Sequence, residues 1–124
     1  KICVLGNTGG GRDTWKRPAM GAIADEQCDT VILTNEDPYD EDPRKIVDEM
    51  AMGMKRAPTI IMDRRDAIRE ALRQAQGGNQ PVTVLISGKG TDPYIMEAGG
   101  RKTTWDDATV AREELAKLGF NRGK

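Results

Sequence analysis

Four short apolar runs recur along the chain, at residues 2–5 (ICVL), 30–34 (TVILT), 59–62 (TIIM) and 82–86 (VTVLI). They are rich in β-branched residues and nearly continuous in their apolarity, which is the pattern of strands covered on both faces. Longer stretches with helical spacing separate them. Strand–helix alternation with short connections leaves few layouts open. A parallel sheet with helices on both faces satisfies it, because each crossover helix covers the sheet it returns to.

The intervening segments carry their own punctuation. Met20, Ile23, Ala24 and Gln27 follow Pro18, a good early-helix residue. Asp42 precedes Pro43, a capping carboxylate before a proline at the first helical position, and Ile46, Val47, Met50 and Met54 then recur on one face. A third helix starts near Asp63 with Ala67, Ile68, Ala71, Leu72 and Ala75 as its buried stripe, and "QGGNQP" (76–81) ends it. A fourth runs from Asp106 or Asp107 through Val110, Ala111, Leu115 and Leu118 to a stop at Gly119. Between Tyr94 and Trp105, "YIMEAGGRKTTW" reads as a hairpin turning at Gly99-Gly100.

The totals exclude several classes. At 124 residues the chain is one domain with one core, and 37% hydrophobic with 31% charged residues suits a folded globular chain. No apolar stretch approaches a membrane span, and the start is unlike a signal peptide. The chain opens on Lys1 just before a strand, so it reads as a piece of something longer or a processed product. With 19 basic and 20 acidic residues the net charge is −1, which gives no global pull toward nucleic acid or an acidic membrane. There is no histidine, which removes Ser-His-Asp and Cys-His triads, the usual zinc sites and imidazole bases. Cys3 and Cys28 are not in CxxC spacing, and a buried, reduced pair in a cytosolic protein is the expectation.

In open sheets of this kind ligands bind beyond the carboxyl ends of the strands. Those ends lead into residues 9–16, 35–42, 63–66 and 88–92, so every chemically suggestive stretch falls on one predicted edge. "GNTGGGRDTWKRP" (6–18) is neither a dinucleotide fingerprint nor a Walker A loop. Its Arg12 can grip a carboxylate or phosphate bidentately, and Lys16 offers a point charge near a helix start; anion binding is preferred to a plain turn. In "SGKGTD" (87–92), the Gly88 and Gly90 backbone can line a ligand and Asp92 can accept from an amine, the bland alternative being a strand-exit turn. The spacing around Lys89 is too short for a Walker A cradle. "DRRD" (63–66) gives a helix cap with surface charges, or an Arg64 that holds phosphate. "NEDPYDED" (35–42) has the composition of a solvated acidic loop. Trp15 and Trp105 can stack on a base or simply pack.

Taken together, "GGGRDTWKRPAMGAIA", "TNEDPYDEDP", "DRRDAI", "SGKGTDPYI" and "WDDATVAREEL" resemble, in order and spacing, the C-terminal domain of the Mur ligases, closest to the UDP-N-acetylmuramoyl-tripeptide synthetase type. The resemblance covers nearly the whole chain. It implies a Rossmann-like, mostly parallel α/β sheet with one antiparallel hairpin near the C-terminus, truncated at its N-terminus. The first strand and helix of the domain are absent, as is the central ATPase domain, so no catalytic residue is expected within residues 1–124 and the piece alone should be inactive. For the parent enzyme it implies a cytoplasmic, ATP- and Mg2+-dependent step of peptidoglycan biosynthesis, and so a part in cell wall, cell shape and cell division. The carboxylate of a UDP-N-acetylmuramoyl dipeptide is activated as an acyl phosphate and attacked by the amine of a free amino acid, with ATP and Mg2+ held mainly by the central domain.

By motif, the resemblance implies that Arg12 binds the incoming amino acid's carboxylate. Gly88 and Asp92 hold its other polar groups, Asp92 standing where the family more often has glutamate. Asp13, Lys16 and Arg64 fall on the nucleotide-facing side. Relatives that add meso-diaminopimelate carry D-N-P-R at the specificity loop, where this chain has Glu36-Asp37-Pro38-Tyr39. Tyr39 cannot make the bidentate charged pair of an arginine, and Asp37 is expected to repel a distal carboxylate, so a lysine-like amino acid is expected. The rival from another class is a stand-alone α/β nucleotide- or anion-binding module without catalysis. A peptide ligase outside cell-wall synthesis fits the loops less well.

Overall fold

The computed structural model describes residues 1–11, 14–77, 80–89 and 92–119. Among them, strand β1 (Ile2–Leu5) is flanked in parallel by β2 (Thr30–Leu33) and β4 (Val84–Ile86), and β3 (Thr59–Ile60) lies outside β2, giving the order β3-β2-β1-β4. Side chains alternate across β1. Ile2 and Val4 face α3 (Arg64–Gln76) and α4 (Asp107–Lys117), meeting Ala67, Ile68, Ala71 and Val110. Cys3 and Leu5 face α1 (Lys16–Gln27) and α2 (Pro43–Ala51), meeting Ala24, Val47 and Met50. The α/β architecture expected from the alternation is the one observed. Strands β5 (Tyr94–Met96) and β6 (Lys102–Thr104) form the hairpin as a separate antiparallel pair, turning through Gly99 (φ 70°) and Gly100 (φ 75°).

The helix starts follow their caps. Asp42 accepts from the Arg44 backbone N–H (3.0 Å), Asp63 from that of Asp66 (2.9 Å) and Asp106 from that of Thr109 (2.9 Å). Helix α1 lacks such a cap. It is held by close approach to α2 instead, where a Cβ on Gly21 would lie 1.9 Å from the Met50 carbonyl oxygen.

Two expectations are corrected. Cys3 and Cys28 are not a reduced pair; they form a disulfide, Sγ–Sγ 2.06 Å. The β1–α1–β2 crossover erases their 25-residue separation, because Cys28 caps the end of α1 directly beneath the α1-facing side of β1. And β4 is not covered on both faces. Helix α1 stops short of it, leaving Leu85 half exposed in a groove of about 260 Å³ beside Met20, Ile23 and Cys28. No helix among the described residues is long and apolar enough to cross a membrane.

Helix α4 is tied to α3 by charge as well as by Val110. Glu114 is fully buried and accepts from Arg69 Nε (2.7 Å), Arg65 Nη1 (2.8 Å) and Lys117 Nζ (3.0 Å). Hydrogen bonds from Arg69 and then Arg65 lower its pKa to about 2, and the Arg17 guanidinium does the same for Glu41. Both values are depressed from 4.5, so the ionised forms contribute stability that is complete above that pH and is lost as pH falls toward 2. Urea midpoints should therefore stay level from neutral pH to about 5 and fall steeply below about 4.5, with a shallower fall in Glu114→Gln. Closing a loop of this length by a disulfide corresponds to about 3–4 kcal/mol in the chain-entropy treatment. Reduction, or a Cys3→Ala/Cys28→Ala pair, should lower the unfolding free energy by roughly 2–4 kcal/mol in denaturant titrations.

Candidate functional site

The strand exits converge as parallel topology requires. The ladder runs past the strands through Thr34 N–H to Leu5 O (3.0 Å), Ile61 N–H to Leu33 O (3.0 Å) and Ser87 N–H to Val4 O (3.0 Å). The glycine-rich exit of β1 then locks onto the exit of β2. Gly9 donates to Asp37 O (2.6 Å), and a Cβ on Gly9 would sit 2.0 Å from the Pro38 carbonyl oxygen. Only glycine permits that approach.

Three buried cations pin this edge from within. Arg17, at the first turn of α1, is fully buried; its guanidinium donates to Glu41 Oε2 (2.6 Å) and Oε1 (3.0 Å), Glu49 Oε1 (2.9 Å) and Thr8 O (3.2 Å), while its Nε has no partner among the described residues. Glu41 also accepts from Gly11 N–H (3.0 Å), so the acidic stretch is not a solvated loop: it binds the glycine-rich turn and the start of α1. Lys89 is buried and donates to both Asp37 oxygens (2.8 Å each) and to Asp92 Oδ2 (2.9 Å). Asp37 Oδ1 also accepts from Met96 N–H on β5 (2.8 Å).

Arg64 is the third. Its Nε and Nη2 bind the Asp107 carboxylate (3.0 and 2.8 Å), Nη1 the Asn35 carbonyl (3.2 Å), and Nη2 also the Ser87 carbonyl (2.8 Å). With 3% of its surface exposed, Arg64 is an interior clamp and not the nucleotide-facing cation expected from "DRRD". The expectation for Asp37 is corrected likewise. Its charge is matched by Lys89 and only 6% of its surface is exposed, so it is not the unpaired surface carboxylate that the expected repulsion requires.

What remains at the surface of the edge is a smaller set. Tyr39 is exposed, adopts φ 54°, and donates its N–H to Met96 O (3.1 Å) beside Gly10. Gly88 (φ 112°) lies so near Glu36 that a Cβ there would be 2.8 Å from Oε2. Glu36 is half-buried, with Thr8 Oγ1 at 3.5 Å; desolvation first, and then the Asp37 charge, push its pKa up. Asp92 is half exposed, its pKa lowered chiefly by the hydrogen bond from Lys89. Lys16 opens α1 next to the exposed Trp15, 5.6 Å from its ring centre. Trp105 packs, its Nε1 donating to Asp107 Oδ1 (2.7 Å). Arg12, Asp13 and Gly90 lie outside the described residues.

Residues 1–90 match the family described as "Mur ligase, glutamate ligase domain". The chain belongs to the Mur ligase family. Over 118 residues it is 44% identical to the UDP-N-acetylmuramoyl-L-alanyl-D-glutamate–2,6-diaminopimelate ligase of Trichormus variabilis, covering 94% of this chain and 23% of that protein. The enzyme of the same name from Chlorobium phaeobacteroides is 41% identical over 118 residues, 94% of this chain and 22% of that one. A solved structure titled as a UDP-N-acetylmuramoyl-L-alanyl-D-glutamate–2,6-diaminopimelate ligase superposes with a TM-score of 0.82 at 32% identity, covering 97% of this chain and 24% of that chain. This Mur ligase chain thus spans under a quarter of the length of the relatives it matches.

The sequence stretches pointed to this edge of the Mur ligase domain, but not to Glu36 as its open carboxylate or to Lys89 and Asp107 as its internal partners. Removing one member of a buried pair leaves an uncompensated charge, at a cost of about 3–5 kcal/mol. Arg64→Met should therefore lose stability of that order in urea unfolding; stability within about 1 kcal/mol of the parent would restore a ligand-facing role.

Proposed function

We propose that residues 1–124 are the amino-acid-binding C-terminal domain of an ATP-dependent ligase of peptidoglycan-precursor synthesis in the cytoplasm, and that the incoming substrate is a diamino acid. The observation that carries this reading is the half-buried Glu36 carboxylate set against Gly88 at the carboxyl edge of the sheet, with the half-exposed Asp92 on the same strand exit as Gly88. A carboxylate whose ionisation is opposed by desolvation gains most from an arriving cation. The distal ammonium of a diamino acid supplies one, held by Glu36 and Asp92 with the Gly88 backbone alongside. The names of the relatives, 2,6-diaminopimelate ligases, support the diamino class.

Within that class, Tyr39 decides. It stands where a distal carboxylate would need a guanidinium, and its phenol offers one hydrogen bond and no charge. We therefore assign lysine or ornithine over meso-diaminopimelate. The α-carboxylate is assigned to Arg12 and the nucleotide-facing side to Asp13 and Lys16, all on the family resemblance.

Among the described residues no group of His, Cys, Asp and Glu is arranged to hold a metal ion, and Arg17, Arg64 and Lys89 are engaged within the domain. On the family resemblance, ATP and Mg2+ are assigned mainly to the central domain of the ligase, with Asp13 and Lys16 facing the nucleotide, and the UDP-N-acetylmuramoyl dipeptide to the other domains. ATP, when bound there, supplies the phosphoryl group that activates the dipeptide carboxylate. The residues described here orient the amine for attack and shield it from bulk water, roles in which small misplacements are costly. The rival stand-alone anion-binding module loses one of the strand-end cations it would use, because Arg64 is engaged within the domain.

The test is ADP release by the full-length ligase with the muramoyl dipeptide precursor and a panel of lysine, ornithine and meso-diaminopimelate. Lysine or ornithine should exceed meso-diaminopimelate in kcat/KM by ~10-fold or more, the scale of one lost charged contact. A preference for meso-diaminopimelate would reverse the assignment at Tyr39. Glu36→Gln should raise KM for the amino acid and leave KM for ATP unchanged.

A further inference from the structure

We propose that Lys89 is a positioning residue that sets the width of the amino-acid site by clamping the Asp37 loop to the Gly88–Asp92 turn. The inference rests on the amino-acid-binding reading given above for its effect on substrate, and on the geometry alone for its effect on the loops.

The clamp is a single ammonium held between the carboxylates of two chain segments. Lys89 Nζ lies 2.8 Å from each Asp37 oxygen and 2.9 Å from Asp92 Oδ2, with its side chain wholly buried. Asp37 carries the connection onward, because Oδ1 accepts from Met96 N–H and so fixes the β5–β6 hairpin to the same point. Met96 O in turn receives the Tyr39 N–H. The left-handed Tyr39 and the Glu36 carboxylate therefore flank an aspartate whose place is dictated by Lys89. Open groups of the site stand on both sides of the clamp: Glu36 and Tyr39 on the loop, Gly88 and Asp92 on the turn.

The alternative is that Lys89 only stabilises the fold. The two differ in where the damage falls. The Asp37 loop and the turn are joined to the sheet by one ladder bond each, Thr34 N–H to Leu5 O and Ser87 N–H to Val4 O. Arg64 joins the roots of both segments through the Asn35 and Ser87 carbonyls, and Arg17 holds the far end of the loop at Glu41. Between those anchors the spacing of Asp37 from Asp92 depends on the clamp, with the Gly9–Asp37 contact beside it. Loss of the ammonium should loosen these segments while the helices keep their packing. Neutralising Asp37 together with Lys89 removes the penalty of an unpaired buried charge without restoring the clamp.

The experiment compares the parent with Lys89→Met and with Asp37→Asn/Lys89→Met by two readouts. In this chain, hydrogen exchange at residues 35–42 and 92–97 should accelerate ~10-fold or more in both variants, with peptides from α3 unchanged. In the full-length ligase, KM for the amino acid should rise ~10-fold or more in both, with KM for ATP moving less than about twofold. Unchanged loop exchange overturns the proposal. So does acceleration spread evenly over the sheet and helices, or a double variant whose amino-acid KM returns to the parent value. If the parent ligase turns over none of the amino acids, the function reading fails on its own, and the exchange measurement still decides the clamp.

Discussion

A parallel sheet ends on its carboxyl edge with carbonyls and loops that no further strand can satisfy, and in this domain buried cations supply the missing donors. Arg64 shows the principle most fully. One guanidinium reaches the carbonyls at the exits of β2 and β4 and the carboxylate that opens α4, from the first position of α3. Guanidinium suits this task because its donors lie in a fixed plane and its charge does not titrate. Remove it and two carbonyls lose a donor, while the buried Asp107 carboxylate loses this counter-charge and still accepts from the Trp105 indole N–H. The positions of the neighbouring loops, and with them the candidate site, depend on that edge being held.

Arg17 and Lys89 repeat the device on either side, and the consequence is an inversion of the charges that the sequence presents. Residues 12–17 read as a cationic lip and residues 35–42 as an acidic fringe. In the folded domain Arg17 and Glu41 neutralise each other, as do Lys89 and Asp37, and the carboxylates left facing the edge among the described residues include Glu36 and the half-exposed Asp92. The edge is thus more receptive to an ammonium than a count of local cations suggests. Composition cannot reveal this, because the partners lie 24 and 52 residues apart.

Legibility in the sequence follows the range of the interactions. The strands, the capped helices and the hairpin depend on periodicity and on neighbours three or four residues away, so they could be read directly. The edge as the functional face followed from topology. What escaped was set by contacts between distant segments. Arg64 read as a surface charge or a phosphate holder, and not as an interior clamp, because Asp107 lies 43 positions on. Cys3 and Cys28 read as a buried, reduced pair because only the crossover brings their sulfurs into bonding distance. Leu85 looked buried because its run is as apolar as the others, although the helices on that face do not extend over β4.

Tyr39 shows how these constraints combine at the point of specificity. A non-glycine residue at φ 54° carries local strain, which persists only where the surroundings fix the backbone. Here they do so from both ends. Asp37, two residues earlier, is held by Lys89, by the β5 N–H and by Gly9, while the Tyr39 N–H is committed to Met96 O. Gly9 leaves the space that lets the loop fold over the β1 exit without a clash. The phenol is therefore presented by a rigid frame and not by a freely hinged loop. On such a frame a change of side chain at one position alters which ligand group is accepted and leaves the backbone in place, so substrate choice can diverge while the fold and the rest of the site stay constant.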